Sequence, residues 1–451
     1  MSASPSPSPD AAPRRDRVVR LTVAASVGAK VVSIACTLAQ VPLALHALGP
    51  EAYGLWITLM GLMIMLNFVD FGLGVGMQKA MAAAFGREDP PQMRRAFYSG
   101  VLTLGGLALV ILALGVPAAL LFDWGRWLKI HDDTLRPLAG PALAITVSAF
   151  ALGLPFNAAP RLAMAAQRGW LQAGWIAMGS IASLLVVALA AWAHWGFLAF
   201  LALTTLLPAL QGAGLWLHLR HKLGWKGWPV KFLPFREWRT LAGDSLLFAV
   251  PQLGLAFVQA APPLALTFAA GPVAATAFNL LQRLFSPVTQ GQIMYLTPLW
   301  PAMTEAHVRG DATWVRRAFL QSLLVSLACI VGLMFLTWQS GRLLQWWVGD
   351  AALPAIGPLA WLTCGWFAAQ VAWQPLMYLL VGLGRLYLLA TWSVMGLGLS
   401  LAGMLTAVAL HQGAAGVIGG ALIGLAVGGL PGLFLAALRA LSPARTRDRS
   451  P

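Results

Sequence analysis

The sequence predicts an all-α polytopic membrane protein of about twelve transmembrane helices in two parallel six-helix repeats. Three observations carry this. Of 451 residues, 59% are hydrophobic and only 10% are charged, where a soluble domain carries about 25% charged residues. The mean hydropathy is +0.74. Apolar runs of about 20 residues, the length that spans a bilayer, recur along the chain, and its two halves align with each other.

Residues 1–18 begin as a Ser/Pro-rich segment that is too polar to fold alone and ends in Arg14, Arg15 and Arg17. The apolar run after them is too long for a signal peptide and reads as a retained first helix. The spans fall at about 19–48, 53–80, 96–121, 137–160, 169–194, 197–218, 241–269, 273–303, 318–341, 353–382, 386–411 and 413–438. Two six-helix lobes follow, 19–218 and 241–438. A basic linker, 219–240, joins them, and a basic tail, 439–451, closes the chain. Cys36, Cys329 and Cys364 sit in apolar runs with no pairing pattern, as small core residues.

Orientation follows from Lys and Arg. With the N-terminus and every second loop in the cytoplasm, that side holds 25 of the 30. Both termini are then cytoplasmic. Trp124, Trp127, Trp192, Trp195, Trp346 and Trp347 fall near the opposite interface, where an aromatic belt is expected.

A shift of 222 residues aligns the halves. Gly49-Pro50 falls on Gly271-Pro272, and residues 80–97 match 302–319 at nine of eighteen positions. A slightly smaller shift places Gln167-Arg168 beside Gly384-Arg385. Parallel repeats of this kind are a transporter architecture with the substrate site between the halves.

A polar group in hydrocarbon is costly, so polar stripes mark the wet faces of helices. The first span carries Ser26, Lys30, Ser33, Thr37 and Gln40 at steps of three and four. The second carries Asn67, Asp70, Gly74 and Gln78, with Lys79 beside them. The seventh carries Ser245, Gln252 and Gln259; the eighth carries Asn279, Gln282, Arg283, Ser286 and Gln290. The fourth ends with Asn157 and Arg161, and the tenth adds a weaker stripe of Thr363, Gln370 and Gln374. The fifth, sixth, eleventh and twelfth spans have far less and suit lipid contact or packing. A central cavity lined by spans 1, 2, 7 and 8 follows, with a net positive charge from Lys30, Lys79, Arg283 and Asp70 that favours an anionic substrate. Two alternatives stay open. Asp70 pairs with Lys30 or Arg283 as a buried ion pair, and Lys79 snorkels to the interface.

The runs LGPEAYGLWITL (48–59) and FVDFGLGVGMQKAMA (68–82) resemble the start of polysaccharide transporters. These are the O-antigen (Wzx-type) lipid-linked oligosaccharide flippases of the multidrug/oligosaccharidyl-lipid/polysaccharide (MOP) exporter superfamily. The basic turns AAQRGW (165–170) and GLGRLY (382–387) are similar to that family too. The resemblance covers about 20–440. It implies a V-shaped, MATE-like 6+6 fold working by alternating access. It implies an undecaprenyl-pyrophosphate-linked oligosaccharide as cargo across the bacterial inner membrane, with membrane lipids, a polysaccharide polymerase and glycosyltransferases of the same pathway as partners. Asp70 matches the family's acidic position in helix 2, and Lys30 and Arg283 fit its pattern of basic cavity residues.

Other signals are set aside. GLGVG (72–76) lacks a preceding strand and a following GK[ST], so it is no nucleotide loop. His218 and His221 lack further ligands and read as a solvated face rather than a metal site. Gly420, Gly424 and Gly428 have small-xxx-small spacing, read as helix packing rather than an oligomer contact. Two other functions are weighed. An ion-coupled exporter of small, often cationic drugs fits the superfamily but not a cationic cavity. A membrane glycosyltransferase, polymerase or ligase needs a larger external loop than 122–136. No enzyme activity, metal, nucleic-acid partner or cofactor is expected. Coupling to H⁺ or Na⁺ is open, with Asp70 as the candidate.

Overall fold

A computed structural model describes residues 11–66, 73–225, 227, 260–297, 299–349 and 357–441. The described residues form helices and connecting turns with no strand. Eight stretches of them are long and apolar enough to cross a membrane. The first, Ala24–Leu66, covers most of the first sequence-predicted span and the first half of the second, because α1 (Ala11–Leu66) runs through a kink at Gly49. In the first half follow α2 (Leu73–Gly86), α3 (Pro90–Leu121), α4 (Ala139–Gly153), α5 (Ala158–Ala165), α6 (Gly169–Trp192) and α7 (Phe197–Lys222). In the second half come α8 (Ala260–Ala270), α9 (Pro272–Leu296), α10 (Leu299–Val308), α11 (Ala312–Trp338) and α12 (Ser340–Val348). The chain ends with α13 (Gly357–Gly382), α14 (Leu386–Ala409), α15 (Gly413–Gly428) and α16 (Leu430–Leu441).

Some expected spans are broken, for local reasons. The span at 137–160 ends as α4 and restarts as α5 after a 3-10 turn, Leu154–Asn157, which holds Pro155. Proline has no N–H for the helix ladder. The last span breaks at Gly429, between α15 and α16. Pro208, Pro287 and Pro375 lie inside continuous helices. Leu109, Leu114, Leu185, Leu210, Leu324 and Val427 are more than three-fifths exposed. So much bare apolar surface is at home in lipid.

The internal repeat is written in the backbone. Gly49 and Gly271, 222 residues apart, adopt nearly the same conformation (φ 75, ψ 169 and φ 83, ψ 172). Positive φ strains any residue with a Cβ, so both are glycine. Asp89 and Asp311, again 222 apart, cap α3 and α11 by accepting from Gln92 N and Trp314 N, each at 2.9 Å. The turns before α6 and α14 match at a shift of 217: Arg168 N donates to Ala163 O at 2.7 Å, and Arg385 N to Leu380 O at 2.8 Å. The next turns match at the same shift, with left-handed His194 (φ 50) and His411 (φ 53).

Contacts divide the chain into two compact units. The first holds the described residues of Met1–Ala47, Leu66–Gly125 and Arg136–Leu246; the second holds those of Leu48–Met65, Arg126–Leu135 and Leu247–Pro451. Leu48–Met65, in the N-terminal half by sequence order, joins the second unit because α1 after its kink packs directly on α8 and α9. Thr276 Oγ1 donates to Pro50 O at 2.6 Å, and the Thr58 and Thr267 hydroxyls lie 2.5 Å apart. A Cβ on Gly54 would overlap the Pro272 carbonyl. Arg126–Leu135 is clasped to the same unit: Glu51 accepts from His131 N at 2.6 Å, and Lys129 Nζ donates to Ala269 O at 2.6 Å. Next to it, Asp132 Oδ1 accepts from the Thr134 hydroxyl at 2.6 Å and the Thr134 N–H at 2.8 Å. These bonds hold its carboxyl below the ordinary value.

In the second unit Gly403 and Gly420 meet backbone to backbone, and Gly424 and Gly428 pack on Leu399. The small-residue stripe therefore serves helix packing. In the first unit Phe97, Tyr98 and Trp225 cluster, and Arg94 donates to Gly227 O at 2.5 Å.

Gly54→Ala should therefore destabilise the protein by about 1–3 kcal/mol, the usual range for overpacking. Gly105→Ala, where a Cβ meets open space, should not. Thermal unfolding of both variants in detergent checks this; equal midpoints would contradict it.

Candidate functional site

Each unit carries its own polar group of helix residues. In the second, Asn279, Gln282 and Arg283 follow one another around one face of α9, at i, i+3 and i+4. They meet Tyr53 from the second arm of α1. The buried Tyr53 hydroxyl donates to Asn279 Oδ1 at 2.9 Å. Asn279 Nδ2 donates onward to Gln282 Oε1 at 3.4 Å. This chain fixes both amides and leaves the Gln282 NH₂ without a partner among the described residues. Arg283 faces the Tyr53 phenol, and its Nε is buried with no hydrogen-bond partner among the described residues. No described carboxylate pairs with it. A guanidinium placed so has strong donors and no acceptor, and an anion with two or more oxygens is its natural complement.

Deeper in the same unit Gln292 Nε2 donates to Ser326 Oγ and to Val371 O, both at 2.8 Å. That bridge joins α9 to α11 and α13. Gln292 is 1% exposed, which makes it a core bond rather than a ligand contact.

In the first unit Thr37 and Gln40 of α1 open onto a cavity of about 250 Å³. Ser180 and Ser183 of α6 and Thr204 and Gln211 of α7 complete its polar lining. Gln211 Nε2 donates to Trp175 O at 2.7 Å, and its amide lies where a Cβ on Gly179 would be. Elsewhere in this unit the Arg161 guanidinium lies over Gly74, so a side chain there would displace it. This brings the end of the fourth sequence-predicted span onto the second. Among the described residues no group of three or more His, Cys, Asp and Glu is arranged to hold a metal.

The sequence profile of a family described as polysaccharide biosynthesis protein matches residues 23–307. That is more than half of the chain. The chain belongs to the polysaccharide biosynthesis protein family. No curated protein matches it in sequence. Solved structures supply the fold. An inward-facing multidrug resistance MATE family transporter of the MOP superfamily shares 16% identity, with 92% of this chain and 96% of that one covered, at a TM-score of 0.71. An outward-facing structure of such a transporter matches at 16% identity, 94% and 96% coverage, and 0.58. A MOP superfamily transporter from Pyrococcus furiosus, whose pocket is described as reversed in polarity, matches at 16%, 95% and 97%, and 0.62. These likenesses establish a MATE-like MOP fold, with the two-repeat architecture that the sequence predicts, for this member of the polysaccharide biosynthesis family.

Of the candidate residues in this family member, Asn279, Gln282 and Arg283 come together in one unit, and Thr37 lines the cavity of the other. Gln78, Gln290 and Arg161 are half-buried; Lys30, Lys79 and Asn157 are exposed. Asn67, Asp70, Gln252 and Gln259 lie outside the described residues. Sequence reasoning missed Tyr53, because its contact with Asn279 is 226 residues away. It also missed Ser180, Ser183, Thr204 and Gln211, on two spans assigned to lipid contact or packing. That assignment is corrected: they face a cavity with Thr37 and Gln40. The signal was in the spacing, since Thr204, Pro208 and Gln211 share one helical face.

A double-mutant cycle tests the Tyr53 relay. Tyr53→Phe and Asn279→Ala should show a coupling of about 1 kcal/mol in unfolding free energy, the usual worth of one buried hydrogen bond. Strict additivity would show that the two side chains do not interact.

Proposed function

We propose that this protein moves a lipid-linked oligosaccharide across the bacterial inner membrane by alternating access, as a multi-pass protein with both termini in the cytoplasm. The observation that carries the reading is Arg283, a half-buried arginine on α9 whose Nε is buried and has no partner among the described residues. Such a group inside a membrane helix is expensive unless it serves a ligand. A pyrophosphate offers several oxygens to the Arg283 fork and to the neighbouring Gln282 NH₂. Lys30, exposed on α1, is a further positive charge, in the first unit. The membership in the polysaccharide biosynthesis family and the MOP transporter fold support an exporter rather than an enzyme. Pathway glycosyltransferases and a polymerase would supply and consume the cargo. A gradient of H⁺ or Na⁺ would drive export, with Asp70 as the coupling carboxylate.

A second reading is a small-molecule exporter, because two of the fold neighbours are named multidrug resistance transporters. Lys30 and Arg283 weigh against cationic drugs, since like charges repel.

Purified protein in liposomes separates the two. Undecaprenyl-pyrophosphate-linked oligosaccharide placed in one leaflet should appear in the other. Arg283→Gln and Lys30→Ala should each slow this by about tenfold, the effect of losing one charged hydrogen bond. Full rates in both variants would place the head-group site elsewhere. Gradient-driven drug efflux without flipping would favour the second reading. Asp70→Asn should abolish gradient dependence and leave head-group binding intact. Unchanged gradient-driven flipping in that variant would remove Asp70 from the coupling role.

A further inference from the structure

The cavity in the first unit has a chemistry different from that around Arg283. Among the described residues its lining holds six polar side chains, none charged, and no aromatic ring. We infer that it binds one neutral sugar ring of the transported glycan, through amides and hydroxyls. This rests on the proposed reading that the cargo is a lipid-linked glycan.

Three of the six side chains are fixed by backbone bonds. Ser180 Oγ donates to Ile176 O at 3.0 Å, Thr204 Oγ1 to Phe200 O at 2.9 Å, and Gln211 Nε2 to Trp175 O at 2.7 Å. Ser180 and Gln211 keep acceptor capacity on their oxygens. The other three, Thr37, Gln40 and Ser183, have no hydrogen-bond partner among the described residues. The set thus presents fixed acceptors beside unengaged donors and acceptors. A sugar hydroxyl is both donor and acceptor, so a polyhydroxylated ring satisfies the set. Among the described lining residues an anion finds no cation, and a cation finds no carboxylate. Drug sites are mostly apolar and aromatic and fill about 300–1,000 Å³; this cavity is polar and holds about 250 Å³. The missing aromatic platform makes for weak binding, which suits a carrier that must release its cargo.

The internal repeat supplies a control. At the shift of 217 that aligns the two turns flanking α6 and α14, Ser183, Thr204 and Gln211 fall on Ser400, Ala421 and Gly428. There Ser400 Oγ donates to Ala421 O at 2.9 Å, and Gly428 packs on Leu399. The second copy closes the same place with small residues and uses its serine to join the two helices. The first copy carries Thr204 and Gln211 there, keeps a cavity, and leaves Ser183 unengaged. Packing alone needs only the second solution.

The test is saturation-transfer NMR on the full chain in lipid nanodiscs. The probes are a panel of neutral hexoses and N-acetylhexosamines, with pyrophosphate as the anionic comparison. At least one neutral sugar should receive saturation. Gln40→Leu should weaken it about fivefold or more, the effect of one lost hydrogen bond. Gly179→Ala should do the same by pushing the Gln211 amide aside, and alanine favours the helix. Pyrophosphate binding should not change in either variant. Failure of every sugar to bind, or unchanged sugar binding in both variants, overturns the inference. Wild-type flipping in liposomes separates the two levels. Flipping without sugar binding at this cavity overturns only the inference, whereas no flipping of any glycan overturns the transport reading beneath it.

Discussion

Every polar group placed in hydrocarbon must find its partner inside the protein. That constraint sorts the polar residues of this chain. Many are engaged by their own helix: Thr58, Thr146, Thr205, Thr267, Thr337 and Thr363 each donate to the carbonyl four residues back. Others join helices, as Gln292 joins Ser326 and Val371 and as Ser400 joins Ala421. Among the described residues single buried atoms of Gln172, Trp216, Trp366, Gln374 and Ser393 also stay unpaired, but unengaged side chains gather in two places. Arg283 and Gln282 keep donors without acceptors in the second unit, and Thr37, Gln40 and Ser183 are unengaged in the first. A polar residue carried in a membrane helix and not used by the fold is the strongest local sign of a ligand.

The duplication shows how such sites arise. The halves share their backbone devices: the left-handed glycines at 49 and 271, the capping aspartates at 89 and 311, and the turns at 167 and 384. They do not share their chemistry. At the same shift of 222, Asn279 falls on Ile57 and Arg283 on Gly61. Folding therefore holds the repeat together through turns and caps, and the ligand-facing side chains are free to differ. One copy thus carries a cationic group and the other a neutral polar cavity.

Much of this was legible in the sequence. Span periodicity and the 222-residue shift predict the helices and the repeat, because bilayer thickness and the positive-φ turns constrain residue type directly. The stripe of Asn279, Gln282 and Arg283 is visible because helical spacing is local. The Tyr53 contact is not, since nothing local marks which tyrosine meets Asn279. The α6–α7 cavity was hidden differently. Ser180, Ser183 and Gln211 stand among long apolar runs, and only the packing of α1 beside them shows that they face inward. Helix breaks at Pro155 and Gly429 were also blurred, because proline and glycine signal strain without saying whether a helix bends or stops.

The central claim is that the unengaged polar groups exist to hold a glycan on a lipid pyrophosphate. Native mass spectrometry of the protein, extracted gently from membranes that make such lipids, tests it most directly. A retained adduct with the mass of a polyprenyl-pyrophosphate-linked oligosaccharide is the predicted result. Adducts of bulk phospholipids alone, with the glycolipid abundant in the same membranes, would contradict it.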